Sequence, residues 1–248
     1  MRYTLLSLCW FVLSIPSADA ADKVVTRKIT IQGGAKDAQN VLVVIPMSPE
    51  WIGQGNGVKV TQDTTELLSQ IAKPSLLSSV APDQLELTVL VPSLKAGQSL
   101  PLVCEVVRPA STPGFQWKEV NGLKELFYGD QPLVRYMNKP YDPAQTKKKQ
   151  ETANPTIKPY HHLFAPDGKT LVTNGPAGQF PHHRGIFYGF NNITFDKKKL
   201  DVWHCRGGEH TEHEKFLSET AGPLSAGTRF RSAGSIRHRN RSPARKGN

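Results

Sequence analysis

Leu85–Val91 reads L-E-L-T-V-L-V and stops at Pro92. Apolar residues recur at every second position, the period of a strand with one face in a core and one in water. Lys23–Ile31 repeats the pattern as K-V-V-T-R-K-I-T-I, and Val41–Ile45 is a β-branched run ended by Pro46. Leu102–Val107 adds another strand-like run, and Leu133–Met137 and Lys169–Thr173 extend the series. Gly33-Gly34, the glycines between Gly53 and Gly57, Pro92 and Gly97 punctuate these runs, as turns require. Thr64–Ala72 is the exception: Thr65 can cap it, and Leu67, Leu68 and Ile71 fall at helical spacing, so a helix is expected there. The fold class is therefore mostly β, with antiparallel, sandwich-like sheets.

A composition change divides the chain. Arg108–Gly114, R-P-A-S-T-P-G, reads as a linker, with residues 109–114 joining an N-terminal β module (21–108) to a second module (115–221). Asn121-Gly122 between strand-like flanks is a hairpin signal. Asp142–Pro155, carrying Lys147 to Lys149, reads as an exposed loop, and Lys197 to Lys199 as a second charged turn.

Both ends carry information. Met1-Arg2, the apolar run Leu5–Ile15 and Ala18-Asp19-Ala20 have the order of a cleaved export signal, expected over residues 1–20. The run is shorter than the roughly 20 residues that span a bilayer, so no membrane span is expected after cleavage, and the location is periplasmic or extracellular. The net charge of +10 is concentrated at the other end. From Gly222 onward there are six arginines, one lysine and no acid, a stretch expected to be a disordered basic tail or the mark of a truncated or shifted frame. Most of the remaining chain is nearly balanced, so nucleic acid is not an expected partner. With Cys9 in the signal, Cys104 and Cys205 are left. A bridge between them would close a loop of about 100 residues, worth up to ~4.7 kcal/mol in the chain-entropy model; a buried free thiol in the strand Leu102–Val107 is the other reading.

Seven of the eight histidines lie between His161 and His213. They sit in YHHLF (160–164), FPHHRG (180–185), DVWH (201–204) and EHTEHE (209–214). Imidazole titrates near neutrality and serves as proton carrier, metal ligand or hydrogen-bond partner. An extended run after Pro181 would put His183, Gly185, Phe187 and Gly189 on one face and Arg184, Ile186, Tyr188 and Phe190 on the other. The glycines then leave room beside an imidazole and a ring, which suits a flat ligand such as a sugar, or else admit a close neighbouring strand. An extended Glu209–Glu214 would align His210, Glu212 and Glu214, a donor set compatible with zinc, manganese or iron. The order H-T-E-H lacks the helical HExxH of zinc proteases.

The segment PYHHLFAPDGKTLVTNGPAGQFPHHRGIFYGF followed by DVWH resembles the PmoA-like family of exported bacterial proteins, common in planctomycetes and often labelled "methane oxygenase PmoA". The resemblance runs from about Phe115 to Ser225. It implies a β-sandwich of unassigned function, associated with carbohydrate or organic-acid metabolism, and marks His162, His182, His183, Arg184, Trp203 and His204 as motif positions. Family members continue through further strands where this chain turns arginine-rich, which makes the second module read as incomplete. A methane oxygenase subunit is the least favoured reading, because such a subunit is a bundle of membrane helices.

The resulting expectation is an exported protein with a histidine-lined pocket that acts on or binds carbohydrate or a related small organic molecule. In it His183 carries the proton with His162 or Glu212 as its complement, Arg184 binds a carboxylate or hydroxyl oxygen through its fork of donors, and Trp203, Phe187 and Tyr188 hold substrate. A divalent metal on His182, His204 or His210 is a variant; a non-catalytic glycan- or protein-binding module is the alternative.

Overall fold

A computed structural model describes residues 26–52, 57–75, 78–108, 114–146 and 153–236. The expected export signal, most of the linker, the triple-lysine loop and the last twelve positions lie outside the described residues. The protein is mostly β, in antiparallel sheets.

The first module has strands β1 (Thr26–Gln32), β2 (Ala38–Met47), β3 (Gly57–Gln62), β4 (Thr65–Leu67), β5 (Ser69–Ala72), β6 (Leu85–Leu94) and β7 (Ser99–Val107). One sheet runs β1-β7-β3-β4 and the other β2-β6-β5. Between them lies an apolar core, with Leu87, Val89 and Val91 of β6 and Val60, Leu102 and Cys104 of the other sheet fully buried. A short helix, Pro49–Ile52, adds Trp51 and Ile52 to it. This is the alternation of Leu85–Val91 made physical: every second side chain leaves water, at about 25 cal/mol per Å² of apolar surface.

The expected helix at Thr64–Ala72 is two strands instead. Asp63, at φ 52°, turns β3 tightly back into β4. The chain then changes sheet at Leu68, whose carbonyl accepts from Leu90 N–H at 2.9 Å. Leu67 enters the core and Leu68 stays exposed, so the apolar spacing that looked helical marks a crossover. Cys104 and Cys205 are both buried and free, which excludes the disulfide.

The second module begins with a meander: β8 (Phe115–Val120), β9 (Leu123–Tyr128), β10 (Gln131–Met137) and β11 (Tyr160–Leu163) in the order β11-β10-β9-β8. Asn121 and Gly122 both take positive φ, 53° and 72°, as a two-residue hairpin turn with the right twist demands. A small hairpin, β12 (Ile193–Phe195) with β13 (Lys198–Leu200), precedes a long one, β14 (Glu209–Ala221) with β15 (Ala226–Ile236). The long hairpin lies against the meander. Trp117 Nε1 donates to Thr220 O at 3.1 Å, Lys124 pairs with Glu219 at 2.7 Å, and Tyr136 is ringed by His161, His213, Phe216 and Phe230.

Strand β15 corrects the reading of residues 222–248 as a disordered tail, as far as Ile236. In its T-R-F-R-S-A-G stretch, Thr228–Gly234, the one large apolar residue is Phe230, whose ring lies 5.1 Å from that of Tyr136. The partner strand and this contact supply the order that its own weak periodicity does not announce. The modules meet at Gln70, whose Oε1 accepts from Leu224 N (3.0 Å) and Ser225 N (2.9 Å) and whose Nε2 donates to Ser225 O and Oγ.

Candidate functional site

Strand β11 sorts its histidines onto opposite faces. His161 stacks on Tyr136 at 4.4 Å, toward the long hairpin. Tyr160 and His162 point to the other face, where His162 is buried and Nδ1 meets Thr173 Oγ1 at 2.9 Å. Burial, then the Arg135 charge, holds the His162 pKa below the ordinary imidazole value.

Residues 181–190 are irregular, not the strand expected after Pro181; Ile186 alone makes a bridge, to His161. The glycines explain the geometry. A Cβ on Gly185, at φ 42°, would sit 2.2 Å from His161 O, and one on Gly189 would sit 2.4 Å from the Phe187 ring. They serve close packing and leave no ligand space there. Arg184 is fully buried, donating through Nη1 to Asn154 O (2.8 Å) and through Nη2 to Pro181 O (3.0 Å), with its guanidinium 5.5 Å from the Tyr160 ring centroid. These bonds tie the PHHRG loop to the segment before β11.

The loop places three imidazoles together. The His182 ring lies 4.1 Å from that of His183 and 4.7 Å from that of His204. His183 is exposed, stacked on Phe180 at 5.5 Å and edge-on to Trp203 at 5.8 Å. Trp203 also meets Phe187 at 5.1 Å, and its N–H donates to Phe190 O at 3.1 Å. Burial first, then His183, His204, Lys158 and Arg206, hold the His182 pKa below the usual range.

Asp201 builds the turn that presents His204. Its Oδ1 accepts from Trp203 N (3.1 Å) and His204 N (2.9 Å), and its Oδ2 meets His204 Nδ1 at 2.7 Å. Burial raises the carboxyl pKa, but the N–H donors and the imidazole outweigh it and hold the group below its ordinary value. An ionised carboxylate only accepts, so Nδ1 of His204 carries the hydrogen. In its neutral form such a ring offers Nε2 as the base, the arrangement that orients catalytic and metal-binding imidazoles.

Below this turn lies Lys158, 1% exposed. Its ammonium donates to Trp203 O and sits 3.9 Å from the Phe187 ring centroid. Burial pushes its pKa down to about 8, so the amine is still mostly charged at neutral pH. Cys205, adjoining it at φ 60°, is a buried thiol pushed up to about 11, hence protonated.

The other expected residues stand elsewhere. His210 stacks on Tyr141 at 4.1 Å, and Glu212 Oε1 accepts from Tyr141 N at 3.0 Å. Tyr188 is 82% exposed. His182 and His204 are neighbours without a third ligand: among the described residues no group of three or more His, Cys, Asp and Glu side chains is arranged to hold a metal. Two hollows, of about 500 and 170 Å³, are lined without any histidine.

Sequence reasoning did not assign Asp201, Lys158 or Asn154. Asp201 could have been found, since an aspartate two and three residues before backbone N–H groups is the Asx-turn pattern. A lysine between Ile157 and Pro159 signals nothing by itself.

Residues 125–238 match the family model described as "Family of unknown function (DUF6807)". No curated protein and no solved structure matches the chain.

Proposed function

We propose that this is an exported PmoA-like protein whose His182–His183–His204 cluster, flanked by Trp203 and Phe187, binds a carbohydrate or related small organic molecule and acts on it by acid–base chemistry. The observation that carries the reading is the Asp201–His204 pair. A carboxylate that fixes the tautomer and leaves Nε2 basic, beside two further imidazoles and an indole, is the equipment for moving a proton at a ring held by stacking. His204 takes the role of proton carrier that sequence alone gave to His183. His182, kept neutral, is a hydrogen-bond partner or the complementary acid once protonated. Arg184 shapes the loop from beneath.

The test is a screen of plant and bacterial oligosaccharides for product release by the purified chain, repeated with His204→Ala, Asp201→Asn and Trp203→Ala. The proposal expects His204→Ala to remove turnover with the melting temperature unchanged. Asp201→Asn should lower turnover by about 10²–10⁴-fold, in line with general acid–base contributions. Turnover that survives His204→Ala would refute the acid–base role.

The non-catalytic alternative draws on a specific observation. Phe180, Ile186, Tyr188 and Phe190, all more than half exposed, put apolar side chains along the loop that bears the histidines, as a glycan- or protein-binding face does. It predicts affinity lost in Trp203→Ala without any turnover in the wild type.

A further inference from the structure

Charge around the histidine cluster is arranged asymmetrically. Its two acids are turned onto the chain itself. Asp201 spends both oxygens on Trp203 N, His204 N and His204 Nδ1, and Glu209 Oε2 accepts from Gly207 N at 2.6 Å. The cations are placed differently. Lys158 lies beneath the cluster, with Arg184 an unfavourable and Asp201 a weaker favourable electrostatic neighbour, and Arg206 follows the WH turn at the surface, within electrostatic reach of His182.

Lys158 is the informative one. Among the described residues its ammonium has no carboxylate within ion-pair distance, only the Trp203 carbonyl and the Phe187 ring. A buried cation without an ion-pair partner is expensive, and an apolar residue of the same length would be the cheaper solution for folding alone. Something must make the charge worth keeping, and an anion above the imidazoles would do so. Such a ligand would meet ring N–H groups and Arg206 directly, with the Lys158 charge behind them in a medium that screens little.

We infer that the cluster selects an anionic sugar, one bearing a carboxylate, over its neutral counterpart. This rests on the carbohydrate reading above and narrows its substrate class. Trp203 would stack on the sugar ring, and the carboxylate would face Arg206 and the imidazole donors.

The experiment compares trigalacturonic acid with its methyl ester, which have the same rings and differ in charge, by isothermal titration calorimetry on the full chain at low and high salt. The acid should bind at least about tenfold more tightly, with the preference shrinking as salt rises. Arg206→Gln, a change at an exposed side chain, should cut the preference several-fold. Lys158→Met should cut it further while leaving ester binding in place.

Equal binding of acid and ester would overturn the inference and leave the carbohydrate reading standing. Preference for the ester, or binding of neither, would also overturn it. Acid-selective binding that ignores Arg206→Gln, His204→Ala and Trp203→Ala would place the ligand elsewhere and sink both the inference and the reading it rests on.

Discussion

The two modules share strand chemistry and differ in what they bury. Between the sheets of the first lie Leu87, Val89, Val91, Leu102 and Val60, all apolar, at 0% exposure. The second buries Arg184, Lys158, Asn154, Glu125 and His162 together with Tyr136 and Tyr160. An apolar core is the general solution for stability. A polar interior must satisfy every donor and acceptor merely to break even, and such local departures from folding rules concentrate at functional sites. The contrast separates a module that holds itself together from one that gives up stability to fix loops and charges under a cluster of imidazoles.

The largest effects should show that the modules are stabilised by different means. Leu87→Ala should cost about 2–5 kcal/mol through the cavity it leaves, and hydrogen exchange resolved by peptide should show the loss within residues 26–108. Asn154→Leu should cost a comparable amount, about 2–4 kcal/mol, for a different reason. Its side chain bridges Asp142 O, Thr146 Oγ1, Thr156 N and Thr156 Oγ1 at 2.8–2.9 Å, and its loss should expose the segment that leads into β11. Exchange spreading equally over both modules in either variant would erase the distinction.

Gly185→Ala comes next. The added methyl meets His161 O in a backbone region that L-residues seldom adopt, at a cost of about 1–3 kcal/mol. It should also displace the PHHRG loop and weaken ligand binding, whereas alanine at Gly34, where a Cβ meets nothing, should be silent in a binding titration.

Acid should sharpen the contrast with a smaller effect. The first module's described residues hold no histidine. In the second, His161, His162, His182 and His213 are all held below the usual imidazole value, burial being the main cause. A folded-state pKa below the unfolded value means the unfolded chain binds more protons. The stability is then fully present above the unfolded pKa of about 6.5 and lost as pH falls through it toward the folded values. Between pH 7 and pH 5 exchange protection should fall around Tyr136 and β14, and hold in β6.

How far the sequence could be read follows the same division. In the first module apolar alternation was nearly the whole specification, and it located β1, β2, β6 and β7. It failed at Thr64–Ala72, because Leu67, Leu68 and Ile71 satisfy a helical period as well as a strand that changes sheets. In the second module the hairpin at Asn121-Gly122 and the strand through Leu133–Met137 were legible from local chemistry. The loop from Pro181 to Phe190 was not. Its course is set by Arg184 binding the Asn154 carbonyl 30 residues earlier in the chain and by the contact of Gly185 with His161, and no window of sequence contains both partners. The cluster of His182, His183 and His204 was legible as composition, but its separation from His210, Glu212 and His162 was not. Strand β15 was missed because its order comes from β14 and Phe230.

The most direct test of the account is the folding stability of Lys158→Met, measured by urea denaturation without ligand and followed by a binding titration. If the buried ammonium is kept for a ligand, the variant will be as stable as the parent or up to about 4 kcal/mol more stable, and it will lose the preference for the anionic sugar. A variant destabilised to the extent of Leu87→Ala, with ligand preference intact, would contradict the account and make Lys158 a part of the fold alone.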